Sequence, residues 1–244
     1  MIEIRDISKH FGSVRAVQHV SFTAPNGKIT GLLGPNGAGK STTLRIISTV
    51  LRADAGTVMV DGTDVASAAD AVRLKLGVLP HASGLYPRLT ARENIRYFGA
   101  LNGLPRAQLE RRIDDLIGML QMQEFADRPA KGFSQGQRIK VALARALVHE
   151  PNNIVLDEPT NGLDVMATRA LRDIIRKLRD QGRCVLFSSH VMQEVAALCD
   201  DIIIIAHGRI VARGSPDALR AQTGEQDLEE AFVKAVGESP EVVS

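Results

Sequence analysis

A glycine-rich stretch near the amino terminus places the tightest limit on the fold. Residues 34–42 read GPNGAGKST and follow an apolar run that ends at Leu33. The pattern G-x-x-x-x-G-K-[ST] is complete, and it is typical of a loop between a buried strand and a helix. Gly34, Gly37 and Gly39 permit backbone conformations that a Cβ would forbid, so that successive N–H groups can surround phosphate oxygens. The stretch therefore predicts a phosphate-binding loop.

The side chains of this loop complete the same chemistry. Lys40 supplies a cation for the β- and γ-phosphates of a nucleotide, and Ser41 supplies a hydroxyl for Mg²⁺. The helix that should begin here directs the positive end of its dipole at those phosphates. A glycine-rich turn that binds nothing is the alternative, and the order strand, loop, Lys-Ser and helix disfavours it. We expect nucleotide contacts from Gly34, Pro35, Asn36, Gly37, Ala38, Gly39, Lys40, Ser41 and Thr42.

Composition limits the other partners. The chain has 244 residues, of which 44% are hydrophobic, and it carries 30 basic and 28 acidic residues. The near balance of charge gives no global field, so we expect no nucleic-acid partner. Its longest aliphatic runs fall far short of the ~20 residues that span a bilayer, so we expect a chain that is soluble by itself. Cys184 and Cys199 stand among apolar neighbours, which indicates small buried side chains in a reducing cytoplasm.

The periodicity of apolar residues predicts an α/β fold. Short alternating strands before the phosphate loop predict an antiparallel β layer, and the alternation of strand and helix after residue 150 predicts a mostly parallel sheet covered by helices. Between Gly84 and about Glu150 the spacing becomes helical, as in Ile95, Phe98 and Leu101. We expect a single domain over residues 1–244, with a helical subdomain at about 84–150 and a helical tail at about 215–244.

Polar residues end two of the later strands. Asp157 and Glu158 follow Leu156, and His190 closes the next strand. Ligands collect beyond the carboxyl ends of parallel strands, so Asp157 can hold Mg²⁺, Glu158 can act as general base for an attacking water, and His190 can bond the γ-phosphate. Each residue alone is more often structural, but the loop upstream favours catalysis. Phe11, in the turn of the antiparallel layer, either stacks on a purine or plugs the core.

One further motif connects these parts. Phe133–Gln137 reads FSQGQ and precedes RIKVALARALVHEP, which closely resembles the signature of ATP-binding cassette (ABC) ATPases, usually LSGGQ. The resemblance covers the chain from Ile2 to about Phe232, and it implies ATP hydrolysis. It assigns Phe11 to adenine stacking, Lys40, Ser41 and Asp157 to phosphate and metal, Glu158 to the catalytic base, and His190 to the switch histidine.

The resemblance also implies a second subunit. In the family, a head-to-tail dimer closes the signature of one subunit over the nucleotide of the other. Ser134, Gly136 and Gln137 would make that contact, and Ser134 and the N–H of Gly136 lie at a predicted helix start, which is an anion-binding end. Asp164, in NGLD, falls in the loop that crosses the dimer interface.

Two positions depart from the family pattern. Gln135 replaces the first glycine of the signature pair, and we expect little harm because Gly136 remains. His81 stands where the family usually has a glutamine that contacts the metal and the attacking water, so His81 joins Glu158 and His190 as a candidate catalytic residue.

Within the family, the run GLYPRLTARENI and the ending Leu228–Phe232 resemble ATPase subunits of sodium, drug and antibiotic efflux systems. This implies a separately encoded transmembrane permease, a homodimer or heterodimer of ATPase subunits, and a place on the cytoplasmic face of the cell membrane. Arg88, Arg92 and Arg96 form a stripe that is either a solvated helix face or a partner surface. Two alternatives are a soluble ABC ATPase of an iron–sulfur assembly type and a phosphate-loop kinase or GTPase, of which the second does not explain FSQGQ.

Overall fold

The computed structural model describes residues 1–237. The strands are β1 (Ile2–Phe11), β2 (Val14–Ala24), β3 (Ile29–Leu33), β4 (Ala55–Val60), β5 (Thr63–Asp64), β6 (Leu76–Leu79), β7 (Asn153–Asp157), β8 (Cys184–Ser189), β9 (Asp201–Ala206) and β10 (Arg209–Gly214). The helices are α1 (Lys40–Ile47), α2 (Ala69–Arg73), α3 (Ala91–Leu101), α4 (Arg106–Met119), α5 (Gln135–Leu147), α6 (Val165–Asp180), α7 (Met192–Leu198), α8 (Pro216–Thr223) and α9 (Leu228–Gly237), and a 3₁₀ turn covers Ala130–Gly132.

The larger sheet has the strand order β10-β9-β3-β8-β7-β6. Every neighbouring pair in it is parallel except β10 and β9, which form an antiparallel edge. Its central strands β3, β7 and β8 are buried along their whole length, which explains their nearly continuous apolar sequences. The carboxyl ends of β3, β6, β7 and β8 therefore meet at one edge of the sheet.

The smaller sheet is antiparallel, in the order β2-β1-β4-β5. Its apolar face packs with α1 over one side of the larger sheet, while α6, α7 and the helices between β6 and β7 cover the other side. Strand β3 serves both cores, because Leu32 faces the first and Leu33 faces the second. The predicted α/β fold, with a mostly parallel sheet, an antiparallel layer and inserted helices, is confirmed.

Helix α7 comes unusually close to the sheet at the middle of β3. A Cβ built on Gly31 would lie 2.5 Å from Sγ of Cys199 and 2.8 Å from Cγ1 of Val195. Only glycine leaves room for this approach, because real Cβ atoms keep more than about 3 Å from such neighbours. Burial raises the pKa of the Cys199 thiol, in agreement with the expectation of a buried apolar side chain.

The segment between β6 and β7 holds α3, α4, the 3₁₀ turn and α5. Helix α3 begins at a capping box in which Thr90 and Glu93 bond each other's backbone N–H groups. The predicted apolar faces are buried at Ile95 and along α4, but Leu101 is 66% exposed. The sequence places Leu101 on a buried helix face, and the structure instead places it on the surface at the end of α3.

The arginine stripe is not one helix face. Arg88 precedes α3, so it does not share a helix with the other two arginines. The guanidinium of Arg92 bonds Asp114 at 2.6 Å and Asp127 at 3.1 Å, and that of Arg96 bonds both carboxylate oxygens of Glu110 at 2.6 and 2.8 Å. These bonds raise the pKa of both guanidinium groups. Arg92 and Arg96 therefore stabilise the packing of α3 on α4 and its following turn.

The predicted helical tail is present as α8 and α9, and its last residues, 238–244, lie outside the described residues. Helix α9 packs against α7 and β9. The sequence did not predict α7, which is seven residues long and follows His190 after a single residue. Within residues 1–237, the helices that occur are too short or too polar to cross a bilayer.

Candidate nucleotide site

The phosphate loop wraps the amino end of α1. Gly39 has φ 104°, and a Cβ there would lie 2.4 Å from the carbonyl oxygen of Ala16, so both its conformation and its surroundings require glycine. Residues 35–37 are exposed and residues 38–40 are buried. Within residues 1–237, no side chain caps the amino end of α1. The first N–H groups of the helix, which have no partner inside the helix, therefore point into the loop.

Lys40 is buried at the centre of this loop, with 4% of its side chain exposed. Its ammonium donates to the carbonyl oxygens of Gly34 and Pro35 at 2.8 and 3.1 Å, and it lies 3.6 Å from Oε1 of Glu158. The two carbonyl groups hold the ammonium in the concave side of the loop. The positive charge is therefore fixed where the loop can surround an anion.

The aspartate predicted as a metal ligand lies beside the loop. Ser41 donates its hydroxyl to Oδ1 of Asp157 at 3.1 Å, and Ser188 donates to the same oxygen at 2.7 Å. Ser188 also accepts the backbone N–H of Glu158 at 3.0 Å. One hydroxyl on β8 thus fixes both acidic residues at the end of β7. The sequence assigns no role to Ser188, because this contact joins residues 31 positions apart.

Glu158 turns sharply out of β7. Its φ is 48°, in the left-handed region that a residue with a side chain seldom adopts, so the surrounding contacts must hold it there. Oε2 of Glu158 lies 3.2 Å from Nδ1 of His190, and Oε1 faces Lys40. The structure therefore brings five predicted residues, Lys40, Ser41, Asp157, Glu158 and His190, into one connected cluster.

Phe11 and His81 lie away from these contacts. Phe11 ends β1 with 47% of its side chain exposed, and the ammonium of Lys9 is 5.7 Å from its ring centroid. The alternative that Phe11 plugs the core is therefore wrong, and an open ring face fits the stacking prediction. His81 is exposed two residues beyond the end of β6, the strand beside β7. Its catalytic role stays a prediction.

The signature residues form a second cluster around the amino ends of α5 and α6. Ser134 accepts the N–H of Gln137 at 3.2 Å, and Oε1 of Gln137 accepts the N–H of Ser134 at 3.0 Å, which makes a capping box. Gln135 is the first residue of α5 and does not have positive φ, so the missing glycine causes no strain. Asp164 caps α6 by accepting the N–H of Ala167 at 2.8 Å. A Cβ on Gly136 would lie 3.6 Å from that of Ala167, so the two helix ends adjoin.

The other ends of α1 and α5 lead to an open groove. A cavity of about 560 Å³ is lined by Ser48 after α1, by His149 after α5, and by Leu101 of α3. Arg145 of α5 also lines it: Nη1 donates to the carbonyl oxygens of Ser83 and Gly84 at 2.9 and 3.0 Å. Burial lowers the pKa of the Arg145 guanidinium and of the His149 imidazole.

Aromatic side chains extend this groove. The guanidinium carbon of Arg145 lies 3.7 Å above the ring of Phe98, a favourable cation–π contact. Phe98 also packs against Tyr86 and Tyr97, with ring centroids 6.5 and 5.5 Å away. Arg145 therefore joins the signature helix, the loop beyond His81 and the aromatic residues. This contact could not be predicted from the sequence, because Arg145 lies in an ordinary amphipathic helix.

Comparison with known proteins decides the family. The family model described as ABC transporter matches residues 17–161, from β2 through the phosphate loop and the signature to the loop after β7. The chain belongs to the ABC transporter family. The ABC resemblance predicted from the sequence is confirmed, and the chain is an ATP-binding cassette ATPase.

Relatives with assigned names span almost the whole ABC cassette. The chain is 42% identical over 238 residues to the ABC transporter ATP-binding protein NatA of Bacillus subtilis, covering 96% of this chain and 97% of that protein. It is 36% identical to the Nod factor export ATP-binding protein I of Ralstonia nicotianae, covering 90% of this chain and 68% of that protein. It is also 36% identical to the daunorubicin resistance ATP-binding protein DrrA3 of Streptomyces coeruleorubidus, covering 91% and 71%.

Solved structures agree with the fold of the cassette. An ATP-binding subunit of an ABC transporter matches with a TM-score of 0.88 at 30% identity, over 96% of this chain and 99% of that one. A dimeric bacterial ABC transporter cassette matches with a TM-score of 0.80 at 27% identity, over 88% and 98%. A dimeric cassette in a post-hydrolysis state with ADP and phosphate matches with a TM-score of 0.80 at 25% identity.

Proposed function

We propose that this ABC ATPase drives a separately encoded membrane-spanning subunit of an efflux system. The observation that carries the proposal is the groove at the carboxyl ends of α1 and α5, where Leu101 exposes an apolar side chain beside Phe98 and Arg145. Exposed apolar and aromatic residues beside an arginine are the composition of an interface anchor. The export and resistance names of two relatives support an exporter, and no relative named above supports the iron–sulfur assembly alternative.

In this proposal the first cluster binds and cleaves ATP. The loop 34–42 and Lys40 hold the phosphates, Phe11 stacks on adenine, and Glu158 accepts the proton of the attacking water. His190, already bonded to Glu158, donates to the γ-phosphate, and His81 contacts the attacking water. The predicted nucleotide ligands thus keep the roles that the family pattern implies, and the connected contacts of the cluster support them.

The same cluster fits Mg²⁺. The Ser41 hydroxyl and the Asp157 carboxylate lie 3.1 Å apart beside the loop, and both are oxygen donors of the kind that Mg²⁺ prefers. Bound there with ATP, the ion would neutralise charge on the phosphates. Ser188 donates to the same oxygen of Asp157 at 2.7 Å, so the carboxylate keeps this bond when Ser41 exchanges its own for a metal contact.

The second cluster acts on a second subunit. We infer that Ser134, Gly136, Gln137 and Asp164 close over the ATP held by a partner cassette, which is a second copy or a different ATPase subunit. The distance in the fold between the nucleotide cluster and the signature cluster supports this inference, because a head-to-tail pair of subunits would bring the signature cluster of one to the nucleotide cluster of the other. Each subunit is one domain, in which the helical subdomain at about 84–150 carries the signature. The assembly lies on the cytoplasmic face of the membrane, bound through the groove.

The groove proposal is tested with the membrane chain itself. The neighbouring reading frame should encode about six apolar spans of ~20 residues, and its product is co-expressed with this ATPase. Leu101→Glu places a carboxylate in the interface, so we expect co-purification to fall by at least about tenfold while ATP hydrolysis by the isolated chain is unchanged.

The matched control is Val50→Glu, because Val50 is similarly exposed at 69% and lines a different cavity. It should leave both co-purification and hydrolysis unchanged. Equal co-purification of Leu101→Glu and the parent chain would remove the groove from the proposal.

A further inference from the structure

A carboxylate outside the predicted site joins the loop after β7 to the end of β8. Glu194, on α7, accepts hydrogen bonds at one oxygen from the hydroxyls of Thr160 and Ser189, the second at 3.1 Å. Thr160 lies two residues beyond Glu158, and Ser189 is the residue before His190. The same oxygen atom therefore connects the segment that follows the proposed base, Glu158, to the residue that precedes His190.

The directions of these bonds are fixed by chemistry. The Ser189 hydroxyl accepts the backbone N–H of Val191 at 3.0 Å and keeps its proton for Glu194. A carboxylate only accepts, so both hydroxyls must donate to it. Ser189 is 2% exposed, and without Glu194 its hydroxyl proton would have no acceptor in a place with little access for water. Glu194 is thus the acceptor that Thr160 and Ser189 share.

The loop beyond Thr160 is short and internally bonded. The N–H of Asn161 donates to the carbonyl of Glu158 at 3.2 Å, and the N–H of Leu163 donates to that of Thr160 at 3.1 Å. Because the turn is tied together in this way, a shift of Thr160 moves the backbone of Glu158, whose φ of 48° already depends on its surroundings. The position of the base is therefore sensitive to the bond between Thr160 and Glu194.

We propose that Glu194 is a positioning residue for ATP hydrolysis: it holds Glu158 and His190 in register without touching the nucleotide. The inference rests on the roles proposed for Glu158 and His190. The phosphate loop and Lys40 make their contacts elsewhere, with the carbonyls of Gly34 and Pro35. Loss of Glu194 therefore changes the chemical step and spares ATP binding.

The test is Glu194→Ala in the full chain, with ATP affinity and single-turnover hydrolysis measured separately. Misplacement of catalytic groups by about 1 Å can cost up to about 100-fold, so we expect the rate to fall by at least about tenfold while the Kd for ATP stays within about twofold. Gln193→Ala is the matched control, because Gln193 is an exposed neighbour on α7 whose amide bonds Glu229 of α9. It should change neither quantity.

A double-mutant cycle separates positioning from a general loss of structure. Thr160→Val should slow hydrolysis in the parent chain and have no further effect in Glu194→Ala, because the bond it removes is already absent. Glu194→Gln keeps an acceptor oxygen and should recover most of the rate. If Glu194→Ala does not fold, Thr160→Val in the parent chain tests the same bond, and a rate within about twofold of the parent would overturn the inference. Independent effects of Thr160→Val and Glu194→Ala, or a rate for Glu194→Ala within about twofold of the parent, would overturn the inference. A parent chain without ATP hydrolysis would instead overturn the proposed function.

Discussion

The amino ends of α1 and α5 are the two helix ends that we propose for anion binding, and their backbone N–H groups are in different states. Helix α1 follows a left-handed glycine and, in the described part of the chain, has no side-chain cap. Helix α5 begins with a complete capping box, in which Ser134 and Gln137 bond each other's N–H groups. The first helix end has N–H groups ready for phosphate, and the second has satisfied part of its own.

This difference orders the events at the proposed site. In the proposed function, ATP binds the open end of α1, where Lys40 is already fixed by two carbonyl groups and Ser41 exchanges its bond to Asp157 for a metal contact. In the proposed dimer, the γ-phosphate would reach α5 of the partner subunit by adding to, or replacing, bonds that the capping box already makes. The proposal therefore has ATP bound to the single subunit before two subunits close over it.

The two helices converge again at their other ends. Ser48 follows α1 and His149 follows α5, and both line the groove proposed for the membrane subunit. Each helix thus runs from a proposed anion-binding end to the same surface. A membrane subunit in that groove would contact the ends of both helices, so it could respond when the two amino ends close on one nucleotide.

Two substitutions test the proposed phosphate-binding end of α1, and we expect them to change ATP binding and hydrolysis more than the others. Lys40→Ala removes the fixed cation and should weaken ATP binding about 100-fold. Glu158→Gln removes only the base, so it should keep ATP affinity, lose hydrolysis by at least about 100-fold, and accumulate as a dimer on gel filtration with ATP. Calorimetry and phosphate release measure the two effects. Hydrolysis by Glu158→Gln at the parent rate would show that another group is the base.

Ser134→Ala tests the role of the amino end of α5. In a Glu158→Gln background it should weaken ATP-driven dimerisation about tenfold and leave the ATP affinity of the monomer unchanged, as measured by analytical ultracentrifugation and calorimetry. Loss of the cap also costs about 1 kcal/mol of stability. The control is Ser215→Ala, because Ser215 caps α8 in the same way, by accepting the N–H of Ala218 at 3.1 Å. It should lower stability equally and leave the dimer intact; a dimer weakened equally by both changes would assign the effect to capping alone.

The smallest effect is expected where α5 enters the groove. Burial lowers the pKa of His149 in the folded chain, so unfolding takes up a proton as the pH falls below the ordinary value of about 6.5. The free energy of unfolding should therefore decline from pH 7.5 to pH 5.5, and His149→Gln should decline less steeply, as measured by urea denaturation. Ser48→Ala, at the end of α1, should keep the parent pH dependence. Parallel curves for His149→Gln and the parent chain would contradict this account.

The sequence predicted the parts of the site that local pattern and topology determine. The phosphate loop is contiguous, and Asp157, Glu158 and His190 end strands that a parallel sheet must bring to one edge. Contacts between segments that are distant in the chain could not be predicted from the sequence. Arg92 bonds acids 22 and 35 positions away, so a stripe that reads as a helix face is a packing contact. Helix α7 was missed because seven residues give too little periodicity, and the bonds of Glu194 were missed with it.

The glycine at the centre of β3, Gly31, is a position where few substitutions can be tolerated. A single methyl group at position 31 would meet Cys199 and Val195, and would lift α7 away from the sheet. Glu194 would move with that helix, although Gly31 itself belongs to β3 and has no side chain to take part in the site. In a library of random mutants, we expect substitutions of Gly31 among the variants that still bind ATP but release phosphate slowly. A change in the core would then produce the phenotype of an active-site defect.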